Sequence, residues 1–392
     1  MMRMLFLAPQ PFYQERGSPI AIKLVLEVLS QRGIQVDVLT YHEGEDVSFD
    51  GIALRRTPGL VHGIRPGFSW KKLVCDGFMT VQALQQCLRR RYDLVQAVEE
   101  SVFIALLLKV LFGVPYIYDM DSSLPEQLVE KNERLSFLLP LMRALEGLAV
   151  RHAEAVVPVC EALAETARQH RPKRIVVLHD VPLAHDAVED EDIDDLRAQI
   201  PDCLAMYVGN LEPYQGIDLL LESFALAQRQ QPQLRLVIIG GRADDIARYK
   251  ERCAALGIGE QTLFLGPRPV AQLGRYLAQA DVLVSPRISG SNTPMKIYSY
   301  LQSGKPIVAT NLKTHTQVLT PEIARLTEPT AAAFAEGLAQ LAADPALRAA
   351  LGSAGKRHVT ECYSYASFHR ALSELIESLE RDALTPGIKE RT

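Results

Sequence analysis

Short continuous apolar runs alternate with segments of helical spacing along this chain, a pattern that restricts it to α/β architectures built on parallel sheets. Met4-Leu-Phe-Leu-Ala8 precedes a turn, helical spacing over Ile20–Gln31 stops at Gly33, and Val36-Asp-Val-Leu-Thr40 is strand-like again. Strand, helix, strand is a βαβ unit. The alternation continues with a helix over Lys71–Arg91, a strand over Leu94–Val98, a helix over Ser101–Phe112, a strand over Tyr116–Tyr118, a helix over Arg134–His152 and a strand over Ala155–Val159. Between Asp186 and Asp195 seven of ten residues are acidic, which marks a boundary. The pattern then restarts, with strands over 204–208, 234–239, 262–265, 282–285 and 306–309 and helices over 216–230, 244–256, 270–279 and 294–303. Two α/β domains in series are expected: 1–182 and 183–364, with a terminal helix over 365–380 packing back across the junction and a tail over 381–392.

Charge and cysteine usage narrow the function. The formal charge is −5, with 21 basic and 21 acidic residues in 1–180, so the second half carries the whole deficit. No basic field exists to hold nucleic acid, and small-molecule chemistry leads. Six cysteines with no CxxC pair suggest neither a disulfide framework nor a zinc site, and a reducing cytoplasm fits them. The most apolar stretch, Val102–Val114, is broken by Lys109 and is shorter than the ~20 residues of a membrane span.

The strand ends carry the chemistry, since ligands of open α/β sheets bind outside their carboxyl edges. The first βα turn lacks GxGxxG, which disfavours a nicotinamide site, yet Gly17 lets backbone approach a ligand phosphate at a helix start. An ordinary turn is the competing reading there. In the second domain the strand ends supply Asn210, Gln215, Gly216, Gly240, Arg268 and Arg287. Asn292 or Thr293 is suited to cap a helix with Pro294 as its first residue, leaving free N–H groups beside Lys296 and Arg287. Such a constellation suits a diphosphate; a capped helix with surface cations is the alternative.

Gly209…Gly216 with its following helix, Leu265-Gly266, Ala280–Pro286 and Pro294-Met-Lys-Ile-Tyr…Gly304-Lys-Pro-Ile-Val308 resemble the retaining family-4 glycosyltransferases of the GT-B fold. The resemblance implies two Rossmann-like domains with parallel sheets facing across a cleft, a nucleotide-sugar donor on the C-terminal domain and a sugar or lipid-linked acceptor on the N-terminal one. It implies no metal and no cofactor beyond the nucleotide-sugar substrate. The family keeps Arg and Lys where this chain has Asn210 and Gln215, and two acids eight positions apart where it has Ser291 and Ser299. Phosphate binding is then expected to rest on Arg287, Lys296, Arg268 and backbone donors, with Ser291 and Ser299 hydroxyls near sugar and ribose.

Asp119 and Asp121 flank Met120 at a first-domain strand end, where the family often has a histidine, and Glu99 and Glu100 end the preceding strand. Three roles stay open for the aspartates: orienting or deprotonating the acceptor, holding a metal as DxD does in the GT-A glycosyltransferase fold, or capping the next turn. Glu99 is a further acceptor-side candidate, with a solvated strand end as the alternative. A retaining transfer needs no protein nucleophile if the leaving diphosphate takes the acceptor proton, so no catalytic triad is expected. Arg65–Lys72, with the only Trp, and the apolar Leu135–Leu148 segment among Arg134, Arg143 and Arg151 suit contact with an anionic membrane face. The bland alternative is a core-facing helix beside a solvated loop. The function expected is a retaining glycosyltransferase of cell-surface polysaccharide or glycolipid synthesis, cytoplasmic or on the inner face of the membrane. A non-hydrolysing nucleotide-sugar epimerase and an impaired scaffold protein of the same fold are the alternatives.

Overall fold

Among the described residues twelve strands form two six-stranded sheets in which every pairing is parallel. In the first, β1 (Arg3–Pro11), β2 (Gln35–Tyr41), β3 (Ile52–Arg56), β4 (Leu94–Val98), β5 (Tyr116–Met120) and β6 (Ala155–Pro158) lie in the order β3-β2-β1-β4-β5-β6. In the second, β7 (Cys203–Val208), β8 (Leu234–Ile239), β9 (Thr262–Gly266), β10 (Val282–Ser285), β11 (Ile307–Thr310) and β12 (Arg325–Thr327) lie in the order β12-β11-β10-β7-β8-β9. Both are doubly wound, so strand order reverses between β1 and β4 and between β7 and β10. The computed structural model describes residues 2–15, 17–64, 69–125, 137–183 and 193–384.

The central strands form because their side chains are buried on both faces: Met4–Ala8 and Leu236–Ile238 are essentially inaccessible to solvent. Crossover helices start and stop where the local chemistry dictates. Ser69 caps Trp70–Arg89 by accepting from the Lys72 amide, and left-handed Gly113 and Gly257 end Val102–Phe112 and Ala243–Leu256. Among the described residues two strands and, of the helices longer than about one turn, three escape the sequence pattern. β3 is a half-exposed edge strand, β12 has three residues, and the helices are Glu161–Arg168, Ala331–Ala343 and Pro345–Cys362. In the second unit, Leu220, Leu221 and Phe224 of helix Ile217–Gln230 pack with Phe334, Leu338 and Leu341 of Ala331–Ala343. A buried Phe or Leu side chain contributes about 1.5–3 kcal/mol.

The chain divides into one unit of Met1–His179 with Phe368–Thr392 and a second of Asp180–Ser367. The terminal helix runs Tyr365–Leu384 and passes from the second unit to the first at Phe368. Within the first unit Arg32 pairs with Glu377 and Arg174 with Asp382, each at 2.9 Å. Most of the acidic stretch, 186–192, and the tail beyond 384 lie outside the described residues. Among the described residues no helix is long and apolar enough to cross a membrane.

Candidate functional site

The carboxyl ends of β7 and β10 meet at the switch point of the second sheet, and there the structure gathers most of the expected donor residues. Lys296 opens helix Lys296–Gln302 and turns its ammonium onto the loop after β7. Its Nζ donates to Gln215 Oε1 at 3.1 Å and sits 3.9 Å from the centre of the Tyr207 ring. Burial, and then the nearby Arg287 guanidinium, hold the ammonium well below the ordinary lysine range. Among the described residues no carboxylate forms an ion pair with it.

Arg287, buried at the end of β10, donates to Ser289 O at 2.7 Å and to Asn292 Oδ1 at 2.8 Å, and lies over the Tyr214 ring at 5.2 Å. Tyr214 OH in turn accepts from Asn210 Nδ2 at 3.3 Å. Behind Arg287, Thr310 Oγ1 donates to its carbonyl, and His315 spans Ser285 Oγ at 2.8 Å and the Thr310 carbonyl at 3.0 Å. The carbonyl only accepts, which places the ring proton on Nδ1 and leaves Nε2 to accept from Ser285. Burial holds His315 neutral, with its pKa down at about 3. Sequence reading missed His315, Tyr207 and Tyr214, because neither a lone histidine nor a core tyrosine signals what it will touch.

Several expectations need correction here. The helix does not begin at Pro294 with Asn292 or Thr293 as its cap; it begins at Lys296 behind Met295, with no side-chain cap. Asn292 is taken by the Arg287 guanidinium, a charge-assisted bond stronger than a cap, and its carbonyl accepts from Thr314 Oγ1. Thr293 Oγ1 is buried with no partner among the described residues, so it still offers a donor and an acceptor. Arg268 is not held ready for phosphate: it binds Asp194 Oδ2 at 2.9 Å, Tyr276 OH at 3.0 Å and Leu265 O at 2.6 Å. Ser299 Oγ accepts from the Leu183 amide at 3.2 Å, anchoring the incoming chain, and the Ser291 carbonyl accepts from Gln317. Gly240 lies so close to β7's end that an added Cβ would meet Gly209 O at 2.3 Å, which is reason enough for a glycine there.

In the first unit, Asp119 sits near the end of β5 and accepts from Gln96 Nε2 at 2.8 Å. Burial pushes its pKa up to about 6; the Gln96 bond opposes this and the Glu99 charge adds to it. Asp121 follows β5, while Glu99 adopts a left-handed conformation (φ 48°) and accepts from Ser122 Oγ at 3.1 Å. Glu100 is not a solvated strand end: it pairs with Lys72, near Asp76, whose pKa burial pushes to about 7. Lys72, expected on a membrane-facing loop, is thereby buried, whereas Trp70 is 64% exposed. Arg65–Phe68 lie outside the described residues, as do Arg134 and Leu135. Gly17 opens helix Gly17–Gln31 with no atom within 4 Å of where a Cβ would stand. Helix Leu139–His152 packs Ala149 and Val150 into the core and exposes Leu141, Leu145 and Leu148, so three of its leucines do not face the core.

Against known proteins, a family profile described as "Glycosyl transferase 4-like domain" matches residues 17–180 and one described as "Glycosyl transferases group 1" matches 188–358. The D-inositol 3-phosphate glycosyltransferase of Kribbella flavida is 29% identical over 162 residues, 39% of this chain and 38% of that protein. The chain thus spans well under half of that relative. Its namesake from Corynebacterium diphtheriae is 24% identical over 393 residues, 94% of this chain and 90% of that protein. Anabaena HepE in complex with UDP-glucose superposes with a TM-score of 0.70 at 17% identity, covering 96% of this chain and 100% of that one, a likeness of fold. Sheet order, the two matched domains and the relatives agree: the chain belongs to the family-4-like glycosyltransferases of the GT-B fold.

Proposed function

We propose that this chain transfers a sugar from a nucleoside diphosphate sugar, UDP- or GDP-linked, to an acceptor hydroxyl with retention of anomeric configuration. The observation that carries the reading is Lys296: a half-buried ammonium beside Arg287, with no carboxylate paired to it among the described residues, is suited to an anion. It stands against Gln215, the very position where the family's own lysine is missing, so a cation from another element replaces it. The second unit then supplies the charge that stabilises the departing diphosphate. HepE bound to UDP-glucose supports UDP as the first nucleotide to try. Asp119, with a raised pKa and a fixed orientation, orients the acceptor hydroxyl, and the leaving diphosphate takes its proton. No metal or further cofactor enters this scheme.

Calorimetry with UDP, GDP and ADP is the test, and UDP or GDP is expected to bind; a chain that binds none of them is not this enzyme. Asp119→Asn is expected to keep donor binding and lose turnover, and NMR of the product to show the donor's anomeric configuration. An epimer formed from donor alone would instead establish the epimerase reading.

On the acceptor side, the exposed Leu141, Leu145 and Leu148 beside Arg143 and Arg151 support a lipid-linked acceptor at an anionic bilayer and a role in surface glycan or glycolipid assembly. Sedimentation with phosphatidylglycerol vesicles is expected to carry the chain down, and Leu145→Glu with Leu148→Glu to cut the bound fraction several-fold. Equal recovery of both proteins would remove the lipid from this scheme.

A further inference from the structure

We propose that His42, Glu43 and His62 form a binding site for a divalent transition-metal ion of the zinc class. His42 and Glu43 are the first residues beyond β2, and His62 comes from the segment that leads to helix Trp70–Arg89. Their ligand atoms all lie within 4.8 Å of one another. Glu43 Oε1 is 4.0 Å from His42 Nε2 and 3.9 Å from His62 Nδ1, and the two imidazole rings meet edge to face at 5.2 Å.

Two observations point to a ligand rather than to a chance cluster. The His42 side chain is nine-tenths buried, yet neither of its ring nitrogens has a hydrogen-bond partner among the described residues. Leaving such a group unsatisfied costs about 1–3 kcal/mol, which a coordinated ion would relieve. The Glu43 carboxylate, moreover, is already oriented: Oε1 accepts from the Gly63 amide at 2.5 Å and Oε2 from the Ile64 amide at 3.1 Å. Backbone bonds of this kind hold a metal-binding carboxylate in place. Two imidazoles and one carboxylate suit zinc and its neighbours rather than Mg²⁺ or Ca²⁺, which take oxygen sets.

Tetrahedral zinc with bonds of about 2.0–2.2 Å needs its ligand atoms about 3.3 Å apart, so the three must draw together by roughly 1 Å. The His62 side chain, 77% exposed, can close its own distances by rotation, a small shift of the Glu43 carboxylate toward His42 closes the third, and a fourth position stays open to water. The ion would tie the carboxyl edge of β2 to residues 62–64. Its three ligands belong to the first unit and the diphosphate-binding residues to the second, and the metal-independent transfer proposed above does not call on it.

The test uses the full chain stripped with a chelator. Zinc chloride is titrated by calorimetry, and Co²⁺ is added separately to read its visible absorption. One ion per chain and the intense bands of tetrahedral cobalt are expected, with His62→Ala and Glu43→Gln each weakening binding about tenfold or more; His62 is exposed, and glutamine keeps the shape of Glu43 and an oxygen to accept a backbone amide, so both variants should fold. Cys362→Ser is the control, because Cys362 Sγ lies 3.9 Å from His358 Nδ1 and offers a rival pair. No zinc uptake, uptake indifferent to His62→Ala, or uptake lost on Cys362→Ser would each overturn the assignment.

Discussion

Lys296→Met is expected to raise the melting temperature of the chain and at the same time to strip it of affinity for UDP or GDP. A methionine nearly reproduces the lysine stem while removing a half-buried charge that has no carboxylate partner among the described residues. Gln215 Oε1 loses its donor, which costs about 1 kcal/mol and offsets only part of the gain. For a unit of this size each kcal/mol recovered moves the melting temperature by about 2–4 °C, so a rise of a few degrees is expected. Binding moves the other way. A hydrogen bond to a charged group is worth about 1.5–3 kcal/mol, so the dissociation constant should rise about 10- to 150-fold.

The pH dependence has a definite sign. Because the folded lysine pKa lies below its unfolded value, the unfolded chain binds more protons between the two, and stability of the free protein rises with pH across that window. The Met variant should lack this slope. Diphosphate, in contrast, binds only the ammonium form, so wild-type affinity should fall as pH rises through the folded value. Scanning calorimetry and titrations with UDP over a series of pH values below the ordinary lysine range would show both effects. A lower melting temperature with unchanged affinity would make Lys296 a structural cation.

Much of this fold is legible in the sequence, since strands buried on both faces must be runs of Val, Ile and Leu. Leu94–Val98, Leu234–Ile239 and Val282–Ser285 come out with the boundaries read from the sequence. β3 does not, because Ile52-Ala-Leu-Arg-Arg56 is a half-exposed edge with no continuous apolar run. In the site, the neutral residues at 210 and 215 are visible in the chain, but their replacement is not: Lys296 is 81 residues from Gln215 and reaches it only through folding. Asn292 is a good cap by type, yet a buried guanidinium claims it first. Lys72 follows the same rule, since a cation beside Trp70 looks solvent-facing until Glu100 is brought against it.

Two candidate glycines, one in each unit, separate what the protein needs from what a ligand needs, and their substitution gives the second large effect. Gly216 has φ +72°, and an added Cβ would stand 2.1 Å from Pro286 O, which is backbone and cannot swing aside. Gly216→Ala must therefore strain a left-handed residue and push the end of β10 away from the loop after β7, the two elements that carry Arg287 and Gln215. A loss of about 3 kcal/mol or more is expected, which at this size lowers the melting temperature by about 10 °C and removes diphosphate binding with it. Gly17 has no atom within 4 Å of the same point. Gly17→Ala costs the fold nothing and adds helix propensity of up to about 1 kcal/mol, so its melting temperature should hold or rise slightly. If a substrate phosphate uses that vacant space, turnover should nonetheless fall, and Gly17→Val should lower it further. Full activity in both Gly17 variants would mean that the space is only a turn. Loss of activity at an unchanged melting temperature would mean that the fold leaves the gap for its substrate.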